Sequence, residues 1–550
     1  MKDKTASSHS EKQSSVLRGV LPALCVVLAV FAFAAQPPAE LFRGLWKILI
    51  SDAGLITDPA VTGGAGAALL NAALVLALST ALVYGMRLPV TGLTFACLFM
   101  MAGFSLLGKN ILNILPVLLG GWLYARYQGE PFSKYVYQTL FATCLSPLVS
   151  FWLVHLPVGW SYLAMLGSGV VIGFFIPPIA GYTVRLHQGF DLYNVGFAAG
   201  FLGLGIASIC KGLGVEFITE LQWGTEDHEI FLWLLRVILL GLFLAGVYLG
   251  CRRPGDYRPL LRHSGRSVAD FILMDGAAPT LVNMAFTGLI GHVYLIALTP
   301  FGVRLNGPLV CCVLSMTGFA AFGKHPKNVL PVMAGAVLAK ALLVAVPLTA
   351  PGSLLAVLFC TGLAPIAGQF GVFWGMAAGF LHMTIVQNTS ILHGGMNLYN
   401  NGFAAGLVCV LLLPIIEAFR NHSKEYQGVS MKQRHPQARQ KMSRVIDEIG
   451  AALFACGATE VSLRLKKEPE GLRLLVQGDY TASNRAKLER LGKLLQPEIR
   501  DPALAETFWE LAGADLAHDT SELALVGQIL DDARVTLGEQ SIEMELFVAR

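Results

Sequence analysis

Apolar stretches long enough to cross a bilayer recur along the first 420 residues. A spanning helix needs about 20 apolar residues, because lipid offers no hydrogen-bond partner to free backbone groups. The pattern therefore predicts an all-α, multi-pass protein in a lipid bilayer, with some segments short enough to be half-helices or re-entrant hairpins. The fourteen predicted segments are Val16–Ala35, Ala65–Tyr84, Val90–Leu107, Leu112–Ala125, Val136–His155, Tyr162–Tyr182, Leu192–Gly214, Ile230–Gly250, Thr280–Leu298, Asn306–Phe322, Asn328–Leu348, Gly352–Gly368, Gly371–Ser390 and Tyr399–Ala418.

The last 130 residues differ in pattern and hold 37 of the chain's 76 charges. Period-two alternation predicts strands around 461–465, 472–476 and 542–548, and helical periodicity covers 438–456, 484–495 and 521–535. A small soluble α+β domain is therefore expected at the C-terminus. The predicted organisation is a cytoplasmic segment at 1–15, membrane repeats at 16–225 and 226–420, and this domain at 421–550.

Two copies of one unit make up the membrane part. Leu186–Gly200 and Leu392–Gly406 are identical at eleven of fifteen positions, LHQGFDLYNVGFAAG against LHGGMNLYNNGFAAG. A second pair, Gly103–Val117 and Gly318–Val332, reads GFSLLGKNILNILPV against GFAAFGKHPKNVLPV. If each copy crosses the membrane seven times, the second copy is inverted, as in many transporters. A re-entrant loop in each copy would make the repeats parallel instead.

Basic residues predict the orientation. The loop at 251–266 carries five arginines and a single aspartate, which places it in the cytoplasm. The basic N-terminal segment, together with Arg420 and Lys424, places both termini there too. The first apolar segment also resembles a cleavable signal peptide ending at Ala32-Phe33-Ala34, and this alternative stays open.

The repeated polar residues at helix entrances are the candidate substrate contacts. An asparagine at a helix start caps free N–H groups, and the helix N-terminus favours an anion or a polar solute. Packing and capping alone would also explain these turns, because GxxxG patterns bring membrane helices together. One position breaks the repeat: Asp191 stands opposite Asn397, and an acid at one entrance only would favour a cation or a proton there. The residues are His187, Tyr193 and Asn194, with His393, Tyr399 and Asn400 in the second copy.

Lys109 and Lys324 lie in the second matched pair, four residues before Asn113 and Asn328. A fixed lysine in a turn that points inward would suit an anionic or carboxylate-bearing solute. The alternative is a snorkelling anchor at the end of a span. All four residues are included in the predicted binding site.

Several classes of function are excluded or disfavoured. The chain is only 14% charged, against roughly 25% in soluble proteins, and its net charge of +4 is too small to indicate nucleic-acid binding. No catalytic motif and no metal-ligand spacing is present, so neither an enzymatic activity nor a cofactor or metal is expected. The scattered cysteines are interpreted as buried thiols.

The motifs LHGGMNLYNNGFAAG at Leu392–Gly406 and GKHPKNVLPV at Gly323–Val332, with their first-half copies, resemble an uncharacterised bacterial multi-pass membrane family. That family has a duplicated domain of unknown function, and the resemblance implies a bacterial inner-membrane protein without naming a substrate. A fainter similarity is to urea transporters, through the tyrosine-asparagine turn at Tyr399–Gly402, and no binding residue is carried over from it.

The sequence thus predicts an inner-membrane transporter or channel for a small polar, and on one interpretation anionic, solute that binds between the two repeats. The alternative function is a membrane-embedded sensor whose C-terminal domain reports ligand binding. Association into a homo-oligomer is left open by the sequence.

Overall fold

The computed structural model describes residues 2–217, 219–343 and 347–421, and in the tail 461–468, 471–480, 530–538 and 541–549 with scattered positions between them. It divides into two compact units, Met1–Pro414 and Ile415–Arg550. The named secondary-structure elements of the first unit are all helices. The described strands all lie in the second.

Nine helices within the described residues are long and apolar enough to cross a membrane. They coincide with nine of the fourteen predicted segments, and the protein is therefore a multi-pass membrane protein. The other five segments are also helical, but two of them, Gly92–Phe104 and Gly307–Phe319, have only 13 residues. At 1.5 Å per residue each extends for about 20 Å, less than the roughly 30 Å of a hydrocarbon core.

Ten helices form the first half, and a short 3-10 turn at Thr143–Leu145 separates α7 from α8. They are α1 Lys2–Ala35, α2 Pro38–Leu49, α3 Pro59–Gly63, α4 Ala65–Gly85, α5 Gly92–Phe104, α6 Ile111–Gln128, α7 Val136–Ala142, α8 Ser146–His155, α9 Trp160–Leu186 and α10 Asn194–Gly212.

The second half repeats this order, with the corresponding 3-10 turn at Cys360–Leu363 between α17 and α18. Its helices are α11 His228–Leu249, α12 Pro254–Tyr257, α13 Phe271–Asp275, α14 Ala277–Ala297, α15 Gly307–Phe319, α16 Pro326–Leu342, α17 Pro351–Phe359, α18 Ala364–Phe370, α19 Val372–Thr389 and α20 Asn400–Asn421.

Equivalent glycines let equivalent helices touch in both halves. A Cβ on Gly173 of α9 would lie 2.0 Å from the Val117 carbonyl oxygen of α6. A Cβ on Gly379 of α19 would lie 1.9 Å from the Val332 carbonyl oxygen of α16. Small residues that allow backbones to approach are the usual means of packing helices in lipid, where the hydrophobic effect supplies little. The two halves therefore repeat the same helix packing as well as the same sequence motifs.

The tail contains a four-stranded antiparallel sheet in the order β1-β2-β4-β3, formed by Val461–Lys467, Gly471–Asp479, Ser541–Ala549 and Asp532–Leu537. The alternating core residues of β2 and β4, such as Leu474 and Leu546, are buried and paired. The three predicted strands are confirmed. The end of the predicted helix at 521–535 is wrong, because β3 begins at 532; the helices predicted at 438–456 and 484–495 fall largely outside the described residues.

Candidate functional site between the repeats

Each lysine lies in a turn that follows a short helix, Lys109 after α5 and Lys324 after α15. An asparagine on the preceding long helix holds each turn. The Nδ2 of Asn71 donates to the carbonyls of residues 105 and 109, at 3.0 and 2.8 Å. The Nδ2 of Asn283 donates to those of residues 320 and 324, at 2.6 and 2.7 Å. The two asparagines are fully buried and fix the path of both lysine turns.

Asn113 and Asn328 complete these turns from the C-terminal side. The Asn113 Oδ1 accepts the N–H of Asn110 at 2.8 Å, while its Nδ2 donates to the Gly108 carbonyl at 2.9 Å. Likewise, the Asn328 Oδ1 accepts the N–H of His325 at 2.8 Å, and its Nδ2 donates to the Gly323 carbonyl at 2.9 Å. Both side chains are therefore used in holding the backbone beside a lysine.

The lysine side chains cross from one repeat to the other. Lys109 of the first repeat donates from Nζ to the hydroxyl of Tyr399 in the second, at 2.7 Å. Lys324 of the second repeat donates to the hydroxyl of Tyr193 in the first and to that of Thr361 at 2.9 Å. Both lysines have zero exposure, so the snorkelling alternative describes neither of them.

Lys109 and Lys324 bury their amino groups inside the protein. Among the described residues, no carboxylate lies within ion-pair distance of either lysine. Each instead lies over the ring of the tyrosine to which it is bonded, at 4.6 Å for Tyr399 and 4.5 Å for Tyr193. A hydroxyl and a ring face offset only part of the cost of removing an ammonium from water.

The histidines and asparagines near these tyrosines are engaged with one another. His187 Nε2 lies 2.9 Å from Asn194 Oδ1, and His393 Nε2 lies 2.9 Å from Asn400 Oδ1. The backbone N–H four residues after each histidine donates to its Nδ1, at 3.2 and 3.3 Å. This pairing corresponds to a neutral imidazole with its proton on Nε2. The amide nitrogens of both asparagines donate to carbonyls of the preceding helices, so these four side chains hold the turns that present the tyrosines.

The two tyrosine turns meet at a close crossing of α10 and α20. A Cβ on Gly196 would lie 2.9 Å from the Cβ of Tyr399 and 3.1 Å from the Cα of Gly402. A Cβ on Gly402 would lie equally close to the Cβ of Tyr193 and to Gly196. These reciprocal contacts place an approximate twofold axis between the glycines. The polar turns of the two copies therefore converge, as the sequence predicts.

Six aromatic rings join the two lysine sites. Tyr399 packs edge-on against Phe104 with ring centroids 4.4 Å apart, and Tyr193 packs in the same way against Phe319 at 5.0 Å. Phe141 and Phe359 each contact one ring from each of these two pairs. We call this set the aromatic cluster: Phe104, Phe141, Tyr193, Phe319, Phe359 and Tyr399.

A further repeated motif, hidden within the apolar pattern, contributes to this cluster. Leu140–Pro147 and Leu358–Pro365 read LFATCLSP and LFCTGLAP. They supply Phe141 and Phe359 to the aromatic cluster and Thr361 to Lys324. Both motifs break a membrane helix with a 3-10 turn. An alignment of the two halves beyond the longest matches would have found them.

A second missed pair comprises Asp58 and Asp270, both fully buried. Each caps its own short helix and also accepts an N–H at the start of the other repeat's short helix. Asp270 accepts from Leu93 of α5 at 3.1 Å, and Asp58 accepts from Gly307 of α15. Burial raises the pKa of Asp58 to about 6, although its backbone N–H donors lower it. The sequence signal was the repeated pattern DxxxxxGA, at 58–65 and 270–277.

These contacts define a site with two buried lysines, hydroxyl groups and aromatic walls, assembled from both repeats. Such groups can bind an anion by charge and direct it by hydrogen bonds, since each ammonium has three N–H donors. Within the described residues, no group of three or more histidine, cysteine, aspartate or glutamate side chains could hold a metal ion.

Comparison with known proteins gives the family but no function. The profile of the family described as "Protein of unknown function (DUF1576)" matches twice, at residues 37–212 and 253–418. Neither a curated protein nor a solved structure matches the chain. The two matches together cover more than half of the sequence and correspond to the two copies. The chain therefore belongs to the DUF1576 family, as a protein with a duplicated membrane domain.

Proposed function

We propose that the protein is a transporter or channel for a small anionic solute, which binds at Lys109 and Lys324 between the repeats. The observation that carries this proposal is the pair of fully buried lysines, each bonded to a tyrosine of the opposite repeat and neither paired with a carboxylate among the described residues. Ionisable residues inside a membrane protein are costly, and they commonly mark a substrate or ion path.

Two further features support a path rather than a structural core. The short helices α5 and α15 are about 20 Å long, so the lysine turns that follow them fall within the thickness of a bilayer. Interrupted helices that meet between two repeats are also the usual setting of transporter binding sites. In this arrangement Tyr193 and Tyr399 orient the lysines, and the surrounding asparagines and histidines act as positioning residues.

We propose the plasma membrane of a bacterium as the location, with both termini in the cytoplasm. The arginine-rich loop at 251–266 supports this orientation, because basic loops remain on the cytoplasmic side. The proposed activity is a binding and translocation event without a covalent step.

The test is flux into proteoliposomes. Vesicles are exposed to potassium salts of small anions, with valinomycin and nigericin present so that neither charge nor protons limit entry, and swelling is followed by light scattering. We expect K109M or K324M to reduce the rate of anion-dependent swelling at least tenfold. K327M is the matched control, because Lys327 is exposed three residues from Lys324. Flux equal to wild type in correctly folded K109M and K324M would contradict the proposal.

A further inference from the structure

Asp191 and Asn397 occupy equivalent places in the two tyrosine turns. The Oδ1 of Asp191 accepts the N–H of Tyr193 at 2.8 Å, and the Oδ1 of Asn397 accepts the N–H of Tyr399 at 2.9 Å. Their backbone N–H groups also donate to the corresponding histidines, at 3.2 and 3.3 Å. The two side chains therefore have the same position and the same first contact.

The other polar atom of each side chain, Nδ2 in Asn397 and Oδ2 in Asp191, has different surroundings. The Nδ2 of Asn397 donates to the Gly196 carbonyl of the opposite repeat at 3.2 Å. The Oδ2 of Asp191, the pseudo-equivalent atom, is buried and has no hydrogen-bond partner among the described residues. The pseudo-equivalent acceptor is the carbonyl of Gly402. An ionised carboxylate cannot donate to a carbonyl, whereas a protonated carboxyl can. If Asp191 made the contact that Asn397 makes, its Oδ2 would need a proton in order to donate to the Gly402 carbonyl.

Among the described residues, Asp191 is the carboxylate whose charge acts on Lys324. Lys324 bonds the hydroxyl of Tyr193, and the backbone N–H of that tyrosine bonds Asp191. The titratable or charged groups around the Asp191 carboxyl are few, and they come from its own turn and from three other elements. They are His187 and Tyr193 on its own turn, Lys324 before α16, Cys409 on α20, and Arg266, whose Nε donates to the neighbouring Gln188 carbonyl.

The charge balance of the two sites is therefore unequal. Asn397 is neutral, so within the described part of the chain the Lys109 site has no acid beside the lysine. In the Lys324 site, an ionised Asp191 compensates the ammonium, and a protonated Asp191 leaves the positive charge to attract an anion. Proton binding at Asp191 and anion binding at Lys324 consequently favour each other, because they change the same local charge in opposite senses.

From this asymmetry we propose that Asp191 is a proton-binding site that couples anion movement to proton movement in the same direction. The inference rests on the proposed function and adds the coupling ion to it. One proton binds to Oδ2 as one anion binds at Lys324, and both are released together. No bond other than the O–H bond forms or breaks.

The test uses the full-length protein in proteoliposomes with pyranine inside. In wild type, an inward anion gradient should carry about one proton per anion into the lumen. D191N places in the first turn the residue that the second turn already has, so we expect it to fold. The number of protons that enter per anion should fall at least tenfold in D191N, with anion flux measured separately in a counterflow assay. K327M is the matched control, because Lys327 is exposed and lies outside both tyrosine turns, and it should retain coupled proton entry.

The outcomes separate the two proposals. Anion flux in wild type without proton movement overturns the role of Asp191 and leaves the transporter intact, whereas no flux of any anion overturns the transporter itself. Proton entry in D191N equal to wild type also overturns the role of Asp191. If D191N does not fold, proton uptake by detergent-solubilised wild type on addition of the transported anion decides, and an uptake below about 0.2 protons per bound anion overturns the inference.

Discussion

The crossing of α10 and α20 can be tested by adding a single methyl group. In G402A the new Cβ would lie 2.9 Å from the Cβ of Tyr193 and 3.0 Å from its carbonyl oxygen. Carbon atoms pack at about 3.5–4.0 Å, so the helices must move apart by about half an ångström or more. Overpacking of this kind typically costs about 1–3 kcal/mol. G196A faces the same distances against Tyr399 and should cost the same amount.

G205A is the matched control, because no atom lies within 4 Å of a Cβ on Gly205, which is exposed on α10. Replacement of glycine by alanine within a helix is otherwise favourable by up to about 1 kcal/mol, so G205A should match or exceed wild type. The assay is thermal unfolding in detergent, in which a loss of about 1–3 kcal/mol should lower the apparent Tm of G402A and G196A by a few degrees. Equal Tm values for G402A, G196A and G205A would refute the close approach of the two tyrosine turns.

Three other predictions concern the surroundings of the site. N113A and N328A each leave a buried backbone N–H and a buried carbonyl without their partner, so each should lower the free energy of unfolding by about 1–3 kcal/mol. Each should also weaken anion binding in a thermal-shift titration. Unchanged anion binding would show that Asn113 and Asn328 do not position the lysines. Because burial raises the pKa of Asp58 to about 6, from an unfolded value near 3.8, its contribution to stability is full below pH 4 and is lost as the pH rises through 6. D58N should remove on the order of 3 kcal/mol from the pH dependence of unfolding between pH 4 and 7, and an unchanged pH profile would contradict this. Deletion of residues 421–550 should leave anion flux within about twofold of full length, whereas loss of flux in a folded truncated protein would favour the sensor hypothesis.

Much of the architecture was predictable because a helix that spans lipid needs a long run of apolar residues. Each of the fourteen predicted membrane segments contains a helix within its described residues, and the two longest repeated motifs identified the turns that meet at the centre. The matched sequences showed common ancestry, but they could not show that Lys109 would reach Tyr399 rather than Tyr193. That choice depends on how the copies pack across a twofold axis, which no local pattern encodes.

The missed elements have specific physical causes. Asp58 and Asp270 act through backbone N–H groups of the other repeat, so the sequence around each aspartate could not show which helix it contacts. Thr361 lies in a helix break that the apolar pattern concealed. In the tail, the alternation of Ala533, Val535 and Leu537 marks strand β3, but it is short and was absorbed into a predicted helix.

The most direct test of the central claim is whether the protein binds an anion in preference to its neutral isostere. Thermal shifts of the detergent-solubilised protein are measured with carboxylates and their isosteric amides, such as acetate against acetamide and succinate against succinamide, alongside phosphate, sulfate, nitrate and chloride. The account predicts that at least one anion stabilises wild type, that its neutral isostere does not, and that K109M and K324M abolish the shift while K327M retains it. Equal shifts with anions and amides, or an anion shift that persists in both K109M and K324M, would contradict the account.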